Sequence, residues 1–398
     1  MFGYGLASVV LVLYLAALGL PDWAIGLLLS LTLLGDAAIS LWLTTHADRV
    51  GRRRVLLVGS VLMCLAGVGF ASTSFLPVLV LAATIGVISP SGNEVGPFLA
   101  VEQASLSQTV GDRARTRVFA WFNLTGSFAT AAGALVGGGV AGGLMAAGWS
   151  TIDAYRFVIV IYACLGLLLA ALFGRVSPLV EVAAPADVSI ARRLGLHRSR
   201  GIVARLSALF VIDAFAGGLV VQSLVAYWFH LRFGADVAVV GGALFGANLL
   251  AGLSALAAAR IADRIGLVRT MVFTHLPSNV LLAAIPLMPT LPLAIAVLLV
   301  RFSISQMDVP TRQAYTMAVV DPDERSAAAG VTGIARTLGA SASPLIAAPL
   351  FGAASLAALP FLLAGGLKIG YDLLLYRAFR SLPPAHELRL NAERAKPR

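Results

Sequence analysis

The chain has 398 residues, 59% apolar and only 12% charged, and its mean hydropathy is +0.90. A soluble globular domain carries about a quarter of its residues charged, so this composition excludes one and makes lipid the solvent for most of the chain. The net charge is +10, with 27 of the 29 basic residues Arg. They are spread over short hydrophilic gaps and form no soluble basic patch, which argues against a nucleic-acid partner.

A run of about 20 apolar residues crosses a bilayer core, and the apolar runs divide into twelve candidate spans. They lie at 3–20, 24–45, 54–72, 77–107, 118–142, 155–174, 206–230, 237–260, 268–288, 291–318, 326–351 and 356–378. Arg49, Arg52, Arg53 and Arg54 follow span two, and Arg113, Arg115 and Arg117 follow span four. Arg also crowds the stretch between spans six and seven and the tail, whereas the opposite gaps are nearly free of it. The positive-inside rule therefore puts both termini and the central linker in the cytosol. The expected fold is all-α, with twelve transmembrane helices in two pseudo-symmetric six-helix bundles. The first bundle is 1–174, the linker 175–205, the second bundle 206–381 and the tail 382–398. Cys64 and Cys164 lie inside apolar runs, outside any Cys/His spacing for a metal, and read as small packing residues. The first apolar run lacks a preceding basic region, so no cleavable signal peptide is expected.

One phrase occurs twice. Ala47-Asp48-Arg49-Val50-Gly51 follows span two, and Ala262-Asp263-Arg264-Ile265-Gly266 follows span eight, 215 residues later. Further matches keep the same order: Glu94-Val95 with Asp308-Val309, then a charged turn, then Leu124-Thr125-Gly126 with Val331-Thr332-Gly333. Shared order over half a chain points to internal duplication. In the phrase itself, Gly allows the tight turn, the Arg side chains anchor it at an anionic surface, and the Asp pairs with an Arg or caps a helix. Such a polar latch suits a gate; the plainer reading is a static topology signal, and the second copy tips the balance toward the gate.

Twelve spans split six and six, a cytosolic linker, and this loop after spans two and eight resemble the major facilitator superfamily of secondary transporters. The family pattern has Gly four residues before the Asp, where this chain has Thr44 and Ala259. The resemblance implies alternating access about a central cavity. It gives Asp48, Arg49, Gly51 and Arg52, and Asp263, Arg264 and Gly266, a role in gating the cytosolic side. Drug-antiporter features, an Arg inside span four and a Gly-Pro motif in span five, are missing.

Charges inside spans are costly and mark functional sites by default. Asp36, midway along span two, is either a helix-paired carboxyl or a coupling group. Glu94 stands beside Asn93 in a span interrupted by Gly and Pro, a pattern that favours a binding or coupling site. Asp213 and Gln222 lie on span seven, which lines the cavity in the family. Arg301 is near mid-membrane in span ten and Arg336 is in span eleven; each is a candidate to hold an anionic substrate or to neutralise a carboxylate. The spacings Asp308/Arg312 and Lys368/Asp372 are each i,i+4 and predict structural pairs. Coupling candidates are thus Glu94, Asp36 and Asp213, and substrate candidates Asn93, Gln222, Arg301 and Arg336.

With no Walker-type loop, the expected activity is gradient-driven transport of a small molecule, coupled to protons, by a multi-pass monomer of the bacterial inner membrane. No enzyme activity, cofactor, metal or nucleic-acid partner is expected. The alternatives are uptake of an organic anion, or a receptor or scaffold without transport.

Overall fold

A computed structural model of the chain describes residues 1–92, 98–109, 112–177, 181, 196–321, 324–380 and 382, and the backbone alone of 44–49, 100, 104, 107–109, 112–117, 119, 120 and 326. Asn93 and Glu94, and the side chains of Asp48 and Arg49, lie outside the described residues.

Among the described residues the regular structure is helical, with no strand. The helices are α1 (Phe2–Ala17), α2 (Asp22–Val50), α3 (Arg52–Ser72), α4 (Leu76–Ile85), α5 (Phe98–Thr109), α6 (Asp112–Ala146), α7 (Thr151–Phe173), α8 (Arg200–Gly218), α9 (Gln222–Phe233), α10 (Val237–Ile265), α11 (Leu267–Ala284), α12 (Leu291–Ser305), α13 (Asp308–Ala318), α14 (Arg325–Ala342), α15 (Pro344–Gly352) and α16 (Leu359–Phe379). Among the described residues ten stretches are long and apolar enough to cross a membrane, and α1 and α4 are shorter apolar helices. Together these fall on the twelve expected spans.

Four spans are interrupted, span four as its Gly and Pro residues predict and spans seven, ten and eleven in addition. Span four breaks after α4, where Gly86, Pro90 and Gly92 stand and Gly92 has φ +75°. Span seven breaks at 219–221 between α8 and α9, and span eleven at Ser343, ahead of Pro344 in the first turn of α15. Span ten breaks at Gln306 and Met307. Pro310 explains this last break, because its ring collides with the carbonyl four residues back and it offers no N–H there. It is tolerated in the first turn of α13.

The duplication is visible in the helices. The helices α2 and α10 are each 29 residues long, and each end of α10 lies 215 residues after its counterpart. The spans Arg52–Ser72 and Leu267–Leu287, 21 residues each, keep the same offset. The hinge between each pair is the glycine of the repeated phrase, Gly51 at φ +102° and Gly266 at φ +88°.

The chain packs as two compact units that cut across the sequence halves. One comprises Met1–Ala186, Gly218–Leu249 and Ser341–Pro360; the other comprises Asp187–Gly217, Leu250–Ala340 and Phe361–Arg398. In the first unit α1 lies against α6 and α3 against α7. A methyl group on Gly133 would sit 2.0 Å from the Phe2 carbonyl oxygen, so a small residue is what permits this approach. The span ends remote from the Arg-rich gaps also meet in this unit. Tyr227 Oη donates to Asp22 Oδ1 at 3.1 Å, and the Leu345 N–H donates to Ser30 Oγ at 3.1 Å. In the second unit Leu206, Phe210, Met271, Val272, Tyr371 and Leu375 form a buried apolar core joining α8, α11 and α16.

Because side chains other than Gly are strained at these φ values, Gly51→Ala and Gly266→Ala should each cost about 1–3 kcal/mol. Thermal unfolding in detergent measures this; two variants melting with the wild type would refute the assigned hinges.

Candidate functional site

The turns next to the Arg-rich gaps are held by carboxylates from distant segments. Glu181, from the linker, accepts from the backbone N–H of Arg52 at 2.8 Å and of Arg53 at 3.1 Å, the first residues of α3. An anion at a helix N-terminus meets unpaired N–H groups and the positive end of the helix dipole. Arg52 is thus engaged through its main chain, and its side chain is buried. Glu324, just before α14, does the same for α8. It accepts from the N–H groups of His197, Arg198 and Ser199, the latter two at 2.8 Å. Burial opposes ionisation of Glu324, but the Ser199 hydroxyl and these backbone donors overcome it and hold the carboxyl at about 2. In the second copy of the phrase, Asp263 and Arg264 are exposed on the last turn of α10.

The ionisable groups of the second unit converge from four helices. Asp213 of α8 is 3% exposed. Its Oδ1 accepts from Lys368 Nζ of α16 at 2.5 Å. Its Oδ2 accepts from Arg312 Nη1 of α13 at 3.1 Å and from Arg336 Nη1 of α14 at 2.9 Å. The expected Asp308–Arg312 pair forms, at 2.8 Å, and the same Arg312 nitrogen bridges to Asp213. The Arg312 guanidinium also lies 5.5 Å from the centre of the Phe210 ring, one turn before Asp213.

The expected Lys368–Asp372 pair is replaced by other partners. Lys368 turns to Asp213, and both oxygens of Asp372 are taken from α11: His275 Nδ1 lies 2.9 Å from Oδ1, and Asn279 Nδ2 donates to Oδ2 at 2.9 Å. Helical spacing permits the i,i+4 pair, but a closer tertiary acceptor wins. His275 is 4% exposed and meets Tyr371 edge-on at 6.1 Å. Sequence reasoning passed over His275, although its i,i+4 spacing to Asn279 signals a shared polar face.

A second polar contact lies in the first unit, where the interruptions of spans four and seven meet. Ser223 donates from both its N–H and its hydroxyl to the Pro90 carbonyl, at 3.0 and 2.5 Å. Gln222 donates to Ser8 Oγ at 2.7 Å and accepts from Asn248 Nδ2 at 3.0 Å. Broken helices thus bring polar groups together, Gln222 among them. Asp36 lies 3.5 Å from Ser40 Oγ, a long contact within α2. Arg301 stands apart from the Asp213 cluster. It packs over the Phe302 ring at 4.8 Å, forms no salt bridge among the described residues, and has a buried Nε without a hydrogen-bond partner. A cavity of about 470 Å³ in the first unit, walled by Phe98, Trp121, Phe122 and Phe173, has Glu102 as its carboxylate and is otherwise largely apolar.

A multi-pass helical bundle with ion pairs gathered inside its spans defines a class, the polytopic membrane transport proteins. Residues 1–344 match the model of the Major Facilitator Superfamily, and the chain belongs to that superfamily. It is 29% identical over 405 aligned positions to the uncharacterized membrane protein YJR124C of Saccharomyces cerevisiae, covering 94% of this chain and 90% of that protein. The fold is similar to that of the nucleoside transporter NupG, with TM-score 0.71 and 14% identity over 96% of each chain. It is equally similar to that of a D-xylose-proton symporter, with TM-score 0.71 and 17% identity over 94% of each chain.

The Glu324 cap carries a pH signature. A carboxyl lowered from 4.5 to about 2 in the folded chain stabilises the fold above 4.5 and loses that contribution as pH falls from there through about 2. Amide exchange at His197, Arg198 and Ser199, corrected for intrinsic rates, should therefore rise across that window. In Glu324→Gln it should be fast throughout; protection equal to wild type would remove the cap from the account.

Proposed function

We propose that this superfamily member is a proton-coupled secondary transporter that carries a small polar or amphipathic molecule by alternating access. It works in the cell inner membrane with both termini cytosolic. The observation that carries this reading is the His275–Asp372–Asn279 contact, a titratable pair buried in the span interior. Asp372 and Tyr371 face His275 from α16, Asn279 lies one turn along α11, and Lys368, Asp213 and Arg312 complete the charged surroundings. A proton gained or lost by the pair changes the net charge of a lipid-surrounded interior by one, which biases the equilibrium between states. Glu94, Asp36 and Asp213 remain coupling candidates from sequence, Asp213 with its charge committed to three cations.

Other features agree with a carrier. The packed outer ends of spans two, seven and eleven in the first unit suit a gate shut on that side. The repeated glycine hinges and carboxylate caps suit cytosolic loops that make and break polar contacts. Among the structural neighbours, a symporter named for xylose and protons supports the choice of coupling ion.

The test uses proteoliposomes with a pH dye inside and a metabolite library outside. A solute that moves protons identifies cargo. Asp372→Asn should then lose gradient-driven accumulation by about tenfold or more while keeping exchange of the same solute across the membrane. Undiminished uphill accumulation in that variant would overturn the coupling assignment.

A further inference from the structure

The buried charges of the second unit share their partners unequally. Among the described residues its span interiors hold four permanent cations, Arg301, Arg312, Arg336 and Lys368, against three carboxylates, Asp213, Asp308 and Asp372. Asp372 is engaged by His275 and Asn279, and Asp308 by Arg312. That leaves the single carboxylate of Asp213 to serve Lys368, Arg312 and Arg336. The contact cluster thus has three cations and two anions. Buried cations are costly without a partner, and Lys368 and Arg336 have Asp213 as their one ion-pair partner among the described residues.

Its geometry says what fits. Ammonium and guanidinium groups grip both oxygens of Asp213, the arrangement that recognises a carboxylate or phosphate. Arg336 has the accessible surface: its side chain is 34% exposed, whereas those of Asp213, Arg312 and Lys368 are 4–9% exposed. Among the described residues Arg336 hydrogen-bonds only through Nη1, to Asp213, so the rest of its planar donor fork remains for a ligand. A cationic solute would be repelled by these donors, and a neutral one would form no ion pair with them.

We propose that this cluster binds an organic oxyanion, a carboxylate or a phosphate, and that Asp213 is a built-in stand-in that holds the cations while no ligand is bound. The proposal rests on the transporter reading only in calling the ligand cargo; binding is tested without transport. A ligand oxyanion takes the Arg336 and Lys368 donors from Asp213, and so exchanges one internal ion pair for another without exposing bare cations to lipid.

Purified full-length protein is unfolded thermally at fixed pH and ionic strength in sodium acetate, sodium methylphosphonate or acetamide. The oxyanions should raise the melting point saturably by mass action, and isosteric neutral acetamide should not. Whichever oxyanion acts at the lower concentration assigns carboxylate or phosphate. Asp213→Asn removes the internal competitor and should tighten oxyanion binding about tenfold or more. Arg336→Gln should weaken it by a similar factor. Should Asp213→Asn fail to fold, Arg336→Gln in the otherwise wild-type chain carries the test, because that side chain is partly exposed. Acetamide matching the oxyanions, or a shift unchanged in Arg336→Gln, would overturn the site. Saturable oxyanion binding in a protein that moves no solute would leave the site standing and overturn the carrier reading.

Discussion

The contact of the Asp213 carboxylate with Lys368, Arg312 and Arg336 constrains the second unit more than any other, because it joins α8, α13, α14 and α16 through charge buried in the spans. An apolar seam between helices in lipid can slide at little cost, since lipid tails are as apolar as leucine. A buried ion pair cannot. Removing one partner from such a contact costs about 3–5 kcal/mol, against a total stability of about 5–15 kcal/mol for a typical fold. These helices therefore move together, or they exchange one set of partners for another. A carrier that changes state needs that choice between discrete arrangements.

At the Arg-rich span ends the same physics is applied to backbone. The repeated phrase places a glycine with positive φ between two long helices, so the second helix of each pair starts with its first N–H groups unpaired. For α3, after the first copy, the acceptor is Glu181 of the linker; away from the phrase, Glu324 serves α8 in the same way. Glu181 is thus seated on the first copy of the turn.

Much of the architecture was legible because lipid imposes simple rules. Every span must be apolar and internally hydrogen-bonded, so hydropathy located the helices, and the Asp-Arg-x-Gly spacing located both hinges. The i,i+4 rule found Asp308 with Arg312, where no competitor for Asp308 stands nearer. It misassigned Lys368 and Asp372, because helical spacing says which residues share a face and nothing about what faces them. Pro310 contained the signal for the break in span ten, and the spacing of His275 to Asn279 that for a second polar face. The caps by Glu181 and Glu324 had no local signature, since each acceptor lies more than 120 residues from its donors. Asp213 was named as one candidate among three; its place at the centre of a cation cluster is set wholly by tertiary packing.

The central claim is that Asp213 neutralises cations which would otherwise be stranded inside the membrane, and a double-mutant cycle on Asp213 and Lys368 tests it most directly. Equilibrium unfolding of Asp213→Asn, Lys368→Gln and the double variant should show each single change strongly destabilising and the double change less so than their sum, by more than about 1 kcal/mol. Additive losses, with the double variant as unstable as the two singles combined, would contradict the account.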